Sequence, residues 1–236
     1  MLDAFRAIFE GKIYRHRSNN QGDQLATEFY EDFYALGRSP KLVRDVDAQR
    51  RGIALSQIRS GISSRRGDGT FGELIPGQAI VREAGYSVAR SAVATLDVGV
   101  EVKILNKAQI KQINDRVAGL QKQADYFLRG RDGRARGNSI CVAIVATNSA
   151  DYAIGYEGER SYRTDGRKHA HPAQEASFIV SKLRHEVAPS YDELILLTYK
   201  ASNDAPFEFR WNDVATVERD YSASLVRLSS EYERRF

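Results

Sequence analysis

An α/β fold, with a mixed sheet between helices, is what this sequence predicts, and three observations predict it. The first is the stretch Thr95–Leu105. There Val98, Val100, Val102 and Ile104 alternate with Asp97, Gly99, Glu101 and Lys103, the period-two pattern of a strand with one apolar and one charged face. The second follows it directly. Asn106-Lys107-Ala108-Gln109 reads as a capping box, and Ile110, Ile113, Val117, Leu120, Ala124 and Phe127 recur at three and four residues, as on one face of a helix. The third is a pair of apolar runs, Ile140–Ala146 and Leu194–Tyr199, which suit interior strands covered on both sides, with a helix pattern from about Pro172 to Val187 between them. Strand, helix, strand, helix, strand in that order is the pattern of a layered α/β sheet.

The rest of the chain fits around this core. Residues 1–18 read as a short amphipathic helix or an arm ending in Tyr14-Arg15-His16-Arg17, and Asn19–Gly22 is a break. From Asp23 the apolar positions Leu25, Phe29, Phe33 and Leu36 specify a helix that Gly37 ends as its C-cap. Ser39-Pro40 opens a second helix, with Ser as N-cap and Pro in the first turn, and Leu42, Val46, Ile53, Ile58 and Ile62 as its inner face. Ser64–Gly72 is a glycine-rich basic loop that has neither the spacing nor the lysine of a P-loop, which excludes a nucleoside-triphosphate cradle. A helix is expected over Glu73–Glu83, stopped by Gly85, then a strand at Tyr86–Arg90. Arg129–Gly137 is a second basic loop, Asn148–His171 a long polar one, Phe207–Trp211 an extra strand, and Tyr221–Phe236 a terminal helix.

Composition narrows the function classes. A chain of 236 residues with 28% charged residues is an ordinary globular protein able to bury a real core, and its net charge of +4 favours polyanionic partners. The single cysteine, Cys141, has no internal disulfide partner and lies in an apolar run, so a reducing compartment, the cytoplasm, is expected. The N-terminus lacks an apolar h-region, and no run approaches the roughly 18–20 residues that span a bilayer, so no membrane association is expected.

The charged face of Thr95–Leu105 carries the chemistry. Two carboxylates and an ammonium project from one side of one strand; the plain alternative is a solvated outer face. Carboxylate oxygens are the natural ligands of a hard cation such as Mg²⁺ or Mn²⁺, and a fixed ammonium beside it can orient a water or meet phosphate charge. His169 and His171, with Glu175 and His185 farther on, fit no zinc-finger spacing and have no cysteine beside them. Arg163, Arg167 and Lys168 interleave with Tyr152, Tyr156 and Tyr162, as on a surface that stacks bases and meets phosphates, or as in an ordinary exposed loop.

A glutamate in an opening helix, the Gly85-Tyr86-Ser87-Val88-Ala89-Arg90-Ser91 strand, Asp97, then Glu101-Val102-Lys103 on a strand followed by an amphipathic helix resembles the PD-(D/E)XK nuclease superfamily over about residues 70–148. That superfamily includes restriction endonucleases and archaeal Holliday-junction resolvases. The resemblance implies a restriction-endonuclease-like core over residues 67–236, with residues 1–66 an N-terminal helical segment. It further implies that Asp97 and Glu101 bind Mg²⁺ or Mn²⁺, that Lys103 contacts the attacking water or scissile phosphate, and that Glu73 is the auxiliary helix glutamate of resolvase-like members. Gln123-Ala124-Asp125-Tyr126 matches the Gln-x-x-Tyr motif of exonuclease-type members. One departure stands out. Family members place the aspartate on a preceding strand or hairpin, whereas four extended residues separate Asp97 from Glu101 by about 13 Å. Ligands of one cation lie about 2.0–2.6 Å from it. A bend at Gly99 that folds Asp97 back toward Glu101 is therefore expected, with Glu73 the replacement ligand if the strand is straight.

The expectation is a metal-dependent nuclease, a DNA endonuclease of restriction, defence or repair, with nucleic acid, DNA, as its partner. Arg65, Arg66, Arg131, Arg134, Arg136, Arg163, Arg167 and Lys168 are the candidate phosphate contacts, with Gln123 and Tyr126 beside them. The alternatives are a noncatalytic nucleic-acid-binding or partner-docking module on the same fold, and a nuclease effector controlled by a partner protein or as a homodimer.

Overall fold

The computed structural model describes residues 1–14, 20–55, 67–106, 109–129, 137–150, 172–202 and 205–236. Six strands form one mixed sheet in sequence order: β1 (Arg51–Leu55), β2 (Gly69–Glu73), β3 (Val98–Leu105), β4 (Ile140–Asn148), β5 (Glu193–Ala201) and β6 (Phe209–Trp211). The first three are antiparallel neighbours, β3, β4 and β5 are parallel, and β6 is antiparallel to β5. Parallel neighbours need a crossover, and the helices α4 (Gln109–Arg129) and α5 (Pro172–Glu186) supply the two that the sheet requires. The α/β architecture read from the sequence is thus the observed one.

Both faces of the sheet are covered, which is why every residue of β4 is buried. One face holds Val98, Val100 and Val102 against Phe29 and Phe33 of α2 (Asn20–Ala35), Phe5 of α1 (Leu2–Phe9) and Leu225 of α6 (Val214–Arg235). The other holds Leu105, Cys141, Ala143 and Val145 against Val117, Leu120 and Phe127 of α4 and Ile179 and Leu183 of α5. The alternation of β3 is therefore a division between two cores, not between core and solvent. Among the described residues no helix is long and apolar enough to cross a membrane.

Local signals placed several boundaries. Ser39 accepts from Leu42 N–H at 3.1 Å and Pro40 occupies the first turn of α3 (Pro40–Asp47), while Gly37, at φ +66°, closes α2 as its C-cap. Asp213 caps α6 by accepting from Thr216 N–H at 3.1 Å.

Several expectations fail. The strand expected at Tyr86–Arg90 forms only isolated bridges at Arg90, the break expected at Asn19–Gly22 is helical from Asn20, and the loop expected over Ser64–Gly72 becomes β2 at Gly69. The second helix does not continue to Ile62: α3 ends at Asp47, Gln49 takes a left-handed φ of +52°, and the chain enters β1. Ile53 is buried on a strand, at a position that the helical pattern also made apolar. Nor is there a helix over Glu73–Glu83. Glu73 is the last residue of β2, and the left-handed Gly77 follows Pro76, which has no N–H to give. From there to Asp97 the chain runs irregularly over β1 and β2, held by bridges such as Leu74 to Val93. It passes so close that a Cβ on Gly72 would lie 2.1 Å from Thr95 O. Finally, Asn106 does not act as the expected capping-box residue. Its Oδ1 accepts from Asn148 and Tyr199, and the first N–H groups of α4, on Gln109 and Ile110, donate to Glu175 Oε2 at 2.7 and 3.4 Å.

Candidate active site

β3 is straight. It pairs with β4 without interruption from Val98↔Ile140 to Leu105↔Thr147, and Gly99 lies opposite Thr70 and Cys141 in regular ladders. The bend expected at Gly99 is absent, and the reason is packing. A Cβ on Gly99 would lie 2.6 Å from Phe127 Cδ1, so the missing side chain makes room for the α4 ring and keeps the strand regular.

Asp97 consequently stays at the start of β3, away from Glu101, in a separate ion cluster. Arg51 Nε donates to Asp97 Oδ2 at 2.5 Å, Thr95 Oγ1 donates to Asp97 Oδ1 at 2.8 Å, and Arg51 also pairs with Asp45. Burial pushes the Asp97 carboxyl above its ordinary range, and the hydrogen bonds from Arg51 and Thr95 pull against it. Glu73, exposed at the end of β2, stands 3.6 Å from Arg51 in the same cluster. Both expected ligands thus gather about a guanidinium. Glu73 does not take the replacement position beside Glu101, because β2 runs antiparallel to β3 and carries its last residue away from Glu101.

The other end of β2 supplies what the sequence reading missed. Since Gly69 pairs with Val100, Asp68 enters the strand beside Glu101. Asp68 N–H donates to Val100 O at 3.0 Å and Val102 N–H donates to Asp68 Oδ2 at 2.7 Å, so backbone bonds on both sides of Glu101 fix the Asp68 carboxylate. Lys103 completes the group: its ammonium donates to Glu101 Oε1, and lies 3.4 Å from Val102 O. A third acid, Asp23, is buried in the first turn of α2. That turn abuts Asp68 closely enough that a Cβ on Gly22 would lie 2.1 Å from Asp68 Oδ1.

Burial dominates the electrostatics of this group. Burial pushes the Glu101 carboxyl up to about 7; Asp68's charge adds to the rise and Lys103 opposes it. Burial also raises Asp68, with Asp23 adding and Lys103 and the Val102 N–H opposing. Among the described residues Lys103 is the cation that opposes the rise at both Asp68 and Glu101. Among the described residues no three His, Cys, Asp or Glu side chains converge as a metal cage. Magnesium does not ask for one: it is bound by one or two carboxylates and completes its shell with water and substrate phosphate oxygens. Asp68 and Glu101 are the two carboxylates here that could hold such an ion, with the Val102 carbonyl a further oxygen of the kind hard cations take.

α4 covers this face. Phe127 sits over Gly99 and Gly67, and Gln123, one helical turn earlier on the same side, is buried, while Tyr126 is half-buried at the edge. The crossover helix runs opposite to β3, so Gln123 is displaced from Phe127 toward Glu101. Arg65, Arg66, Arg131, Arg134, Arg136, Arg163, Arg167 and Lys168 lie outside the described residues, as do His169 and His171. Glu175 is the α4 cap described above, and His185 is exposed on α5.

Asp68 was visible as Gly67-Asp68-Gly69 directly ahead of a short strand, but the neighbouring arginines made the stretch read as a flexible loop. Asp23 read only as the start of a helix. No protein-family model matches the chain, and no curated protein or solved structure matches it.

Proposed function

We propose that this chain is a metal-dependent nuclease that hydrolyses phosphodiester bonds in DNA, with Asp68 and Glu101 as the metal ligands and Lys103 as the catalytic ammonium. The observation that carries the reading is the juxtaposition of Asp68 with Glu101-Val102-Lys103. Backbone bonds hold Asp68 beside Glu101, the Glu101 carboxylate accepts from Lys103, and burial raises both carboxyl groups. The order of parts supports the resemblance noted from sequence. An acid lies in an opening helix (Asp23), an aspartate directly before a preceding strand (Asp68), Glu-x-Lys on the next strand, and Gln123-x-x-Tyr126 on the helix after it. The restriction-endonuclease-like core is proposed on the same grounds, in place of the Asp97 and Glu73 assignment.

Bound Mg²⁺ or Mn²⁺ would supply a more acidic water and charge neutralisation at the scissile phosphate. The chain's own residues do the rest. Asp68 and Glu101 would hold the cation; Val102 N–H keeps Asp68 oriented. Lys103 holds its ammonium at Glu101, where it can donate to a water or a nonbridging oxygen. Asp23 keeps the local potential negative toward a cation. The test is plasmid cleavage with Mg²⁺: activity lost in Asp68→Asn, Glu101→Gln and Lys103→Ala, with folding retained, supports the proposal. Cleavage that survives chelation removes it, and DNA binding without cleavage leaves a binding module on the same fold.

A further inference from the structure

The sixth strand is too short to cover the fifth. β6 pairs only with Tyr199–Ala201, so among the described residues the Glu193–Leu197 part of β5 has β4 on one side and no strand on the other. The direction of its backbone groups follows from two bonds. Ser149 N–H donates to Tyr199 O at 2.7 Å on the β4 side, and Asn212 N–H donates to Thr198 O at 3.1 Å on the opposite side. Odd-numbered residues of β5 therefore turn their N–H and C=O to β4, and Leu194 and Leu196 turn theirs outward.

This edge lies on the floor of a cleft of about 330 Å³. One wall is Arg184 of α5 and Ala188 of the turn after it; the other is Asp220, Ser224 and Arg227 of α6. Most of the charges are matched within the chain. Arg227 pairs with Glu193 at 2.6 Å, Asp220 with Arg219 at 2.9 Å, and Asp192 with Arg235. Arg184, exposed on its wall, has no acidic partner among the described residues.

We propose that this cleft binds an extended peptide segment of a partner protein as an added strand on β5, with an acidic side chain directed to Arg184. The inference rests on the sheet edge and not on the nuclease reading. Outward N–H and C=O groups at every second residue are complementary to another extended backbone, which supplies main-chain hydrogen bonds while alternate side chains meet the walls. The lone arginine sets the chemistry of one of those side chains. Walls on both sides favour a single strand over the folded edge of a second copy.

The probe is a synthetic blocked hexapeptide of alternating Val and Asp, added to the full chain and read by amide hydrogen exchange and backbone NMR shifts. Leu194 and Leu196 amides exchange fast in the free protein and slow about tenfold with saturating peptide, an opening cost of a local hydrogen-bonded unit. Arg184→Glu weakens the peptide about tenfold, the worth of one charge-assisted hydrogen bond, and a Val/Lys hexapeptide recovers the loss on that variant. Leu194 and Leu196 amides already protected in dilute protein, or unaltered at millimolar peptide, overturn the proposal. Protection that instead rises with protein concentration alone, together with dimer mass in sedimentation, also overturns it and gives the edge to a second copy.

Discussion

Gly22 and Asp68 are packed so tightly that a methyl group on the first would stand 2.1 Å from Oδ1 of the second. The first turn of α2 thereby walls in the carboxylate beside Glu101. Gly22→Ala must displace either the helix or the carboxylate, at a cost of about 1–3 kcal/mol for overpacking. The expected outcome is a folded protein with lowered melting temperature and weakened Mg²⁺ binding by calorimetry. Wild-type metal affinity in the variant would show that Asp68 is not held by this contact.

Glu101 gives a pH prediction. Its carboxyl is raised from 4.5 to about 7. The folded state thus keeps a proton that the unfolded chain releases between those values, and stability is lost as pH rises through that window. Glu101→Gln removes the cost. Without metal it should be more stable than wild type at pH 8 by up to about 3 kcal/mol, the advantage shrinking as pH falls and vanishing below about 4.5. Urea denaturation at several pH values reads it, and saturating Mg²⁺ should reverse the order at pH 8. A variant less stable than wild type at pH 8 without metal contradicts this account of the site.

Arg51 and its carboxylates behave differently. Arg51→Ala leaves Asp97 buried without its cation, while Asp45 keeps Arg50, and should cost about 3–5 kcal/mol. Asp97→Asn keeps the shape and a weaker hydrogen bond, and should cost about 1–3 kcal/mol while folded protein keeps its cleavage rate. Loss of cleavage in a stable Asp97→Asn protein would return Asp97 to the active site.

Gly99 is the fourth test. Gly99→Ala should destabilise by about 1–3 kcal/mol through its clash with the Phe127 ring, and Phe127→Leu in the same chain should recover part of the loss. Destabilisation unaffected by the second change would mean that the glycine serves backbone conformation instead.

These residues also mark how far the sequence could be read. The period-two pattern of β3, the period of α4 and the apolar runs of β4 and β5 report burial, which local alternation encodes, and all four elements are where the pattern put them. Glu101 and Lys103 follow from the same alternation. Asp68 does not. Its role depends on the antiparallel pairing of Gly69 with Val100, a contact between distant stretches that no local period records. Asp97 misled because closeness in sequence along a strand is distance in space. Ile53 misled because a residue spaced seven from Val46 satisfies a helical face as well as a buried strand.

We propose that Asp68, not Asp97, completes the site with Glu101 and Lys103. Supercoiled-plasmid cleavage in Mg²⁺ by wild type, Asp68→Asn and Asp97→Asn, each verified as folded by circular dichroism, tests it most directly. The account predicts a loss of about 10²–10³-fold or more for Asp68→Asn, the scale of removing one electrostatic stabiliser of a transition state, and near-wild-type cleavage for Asp97→Asn. Full activity in Asp68→Asn with loss in Asp97→Asn would contradict it.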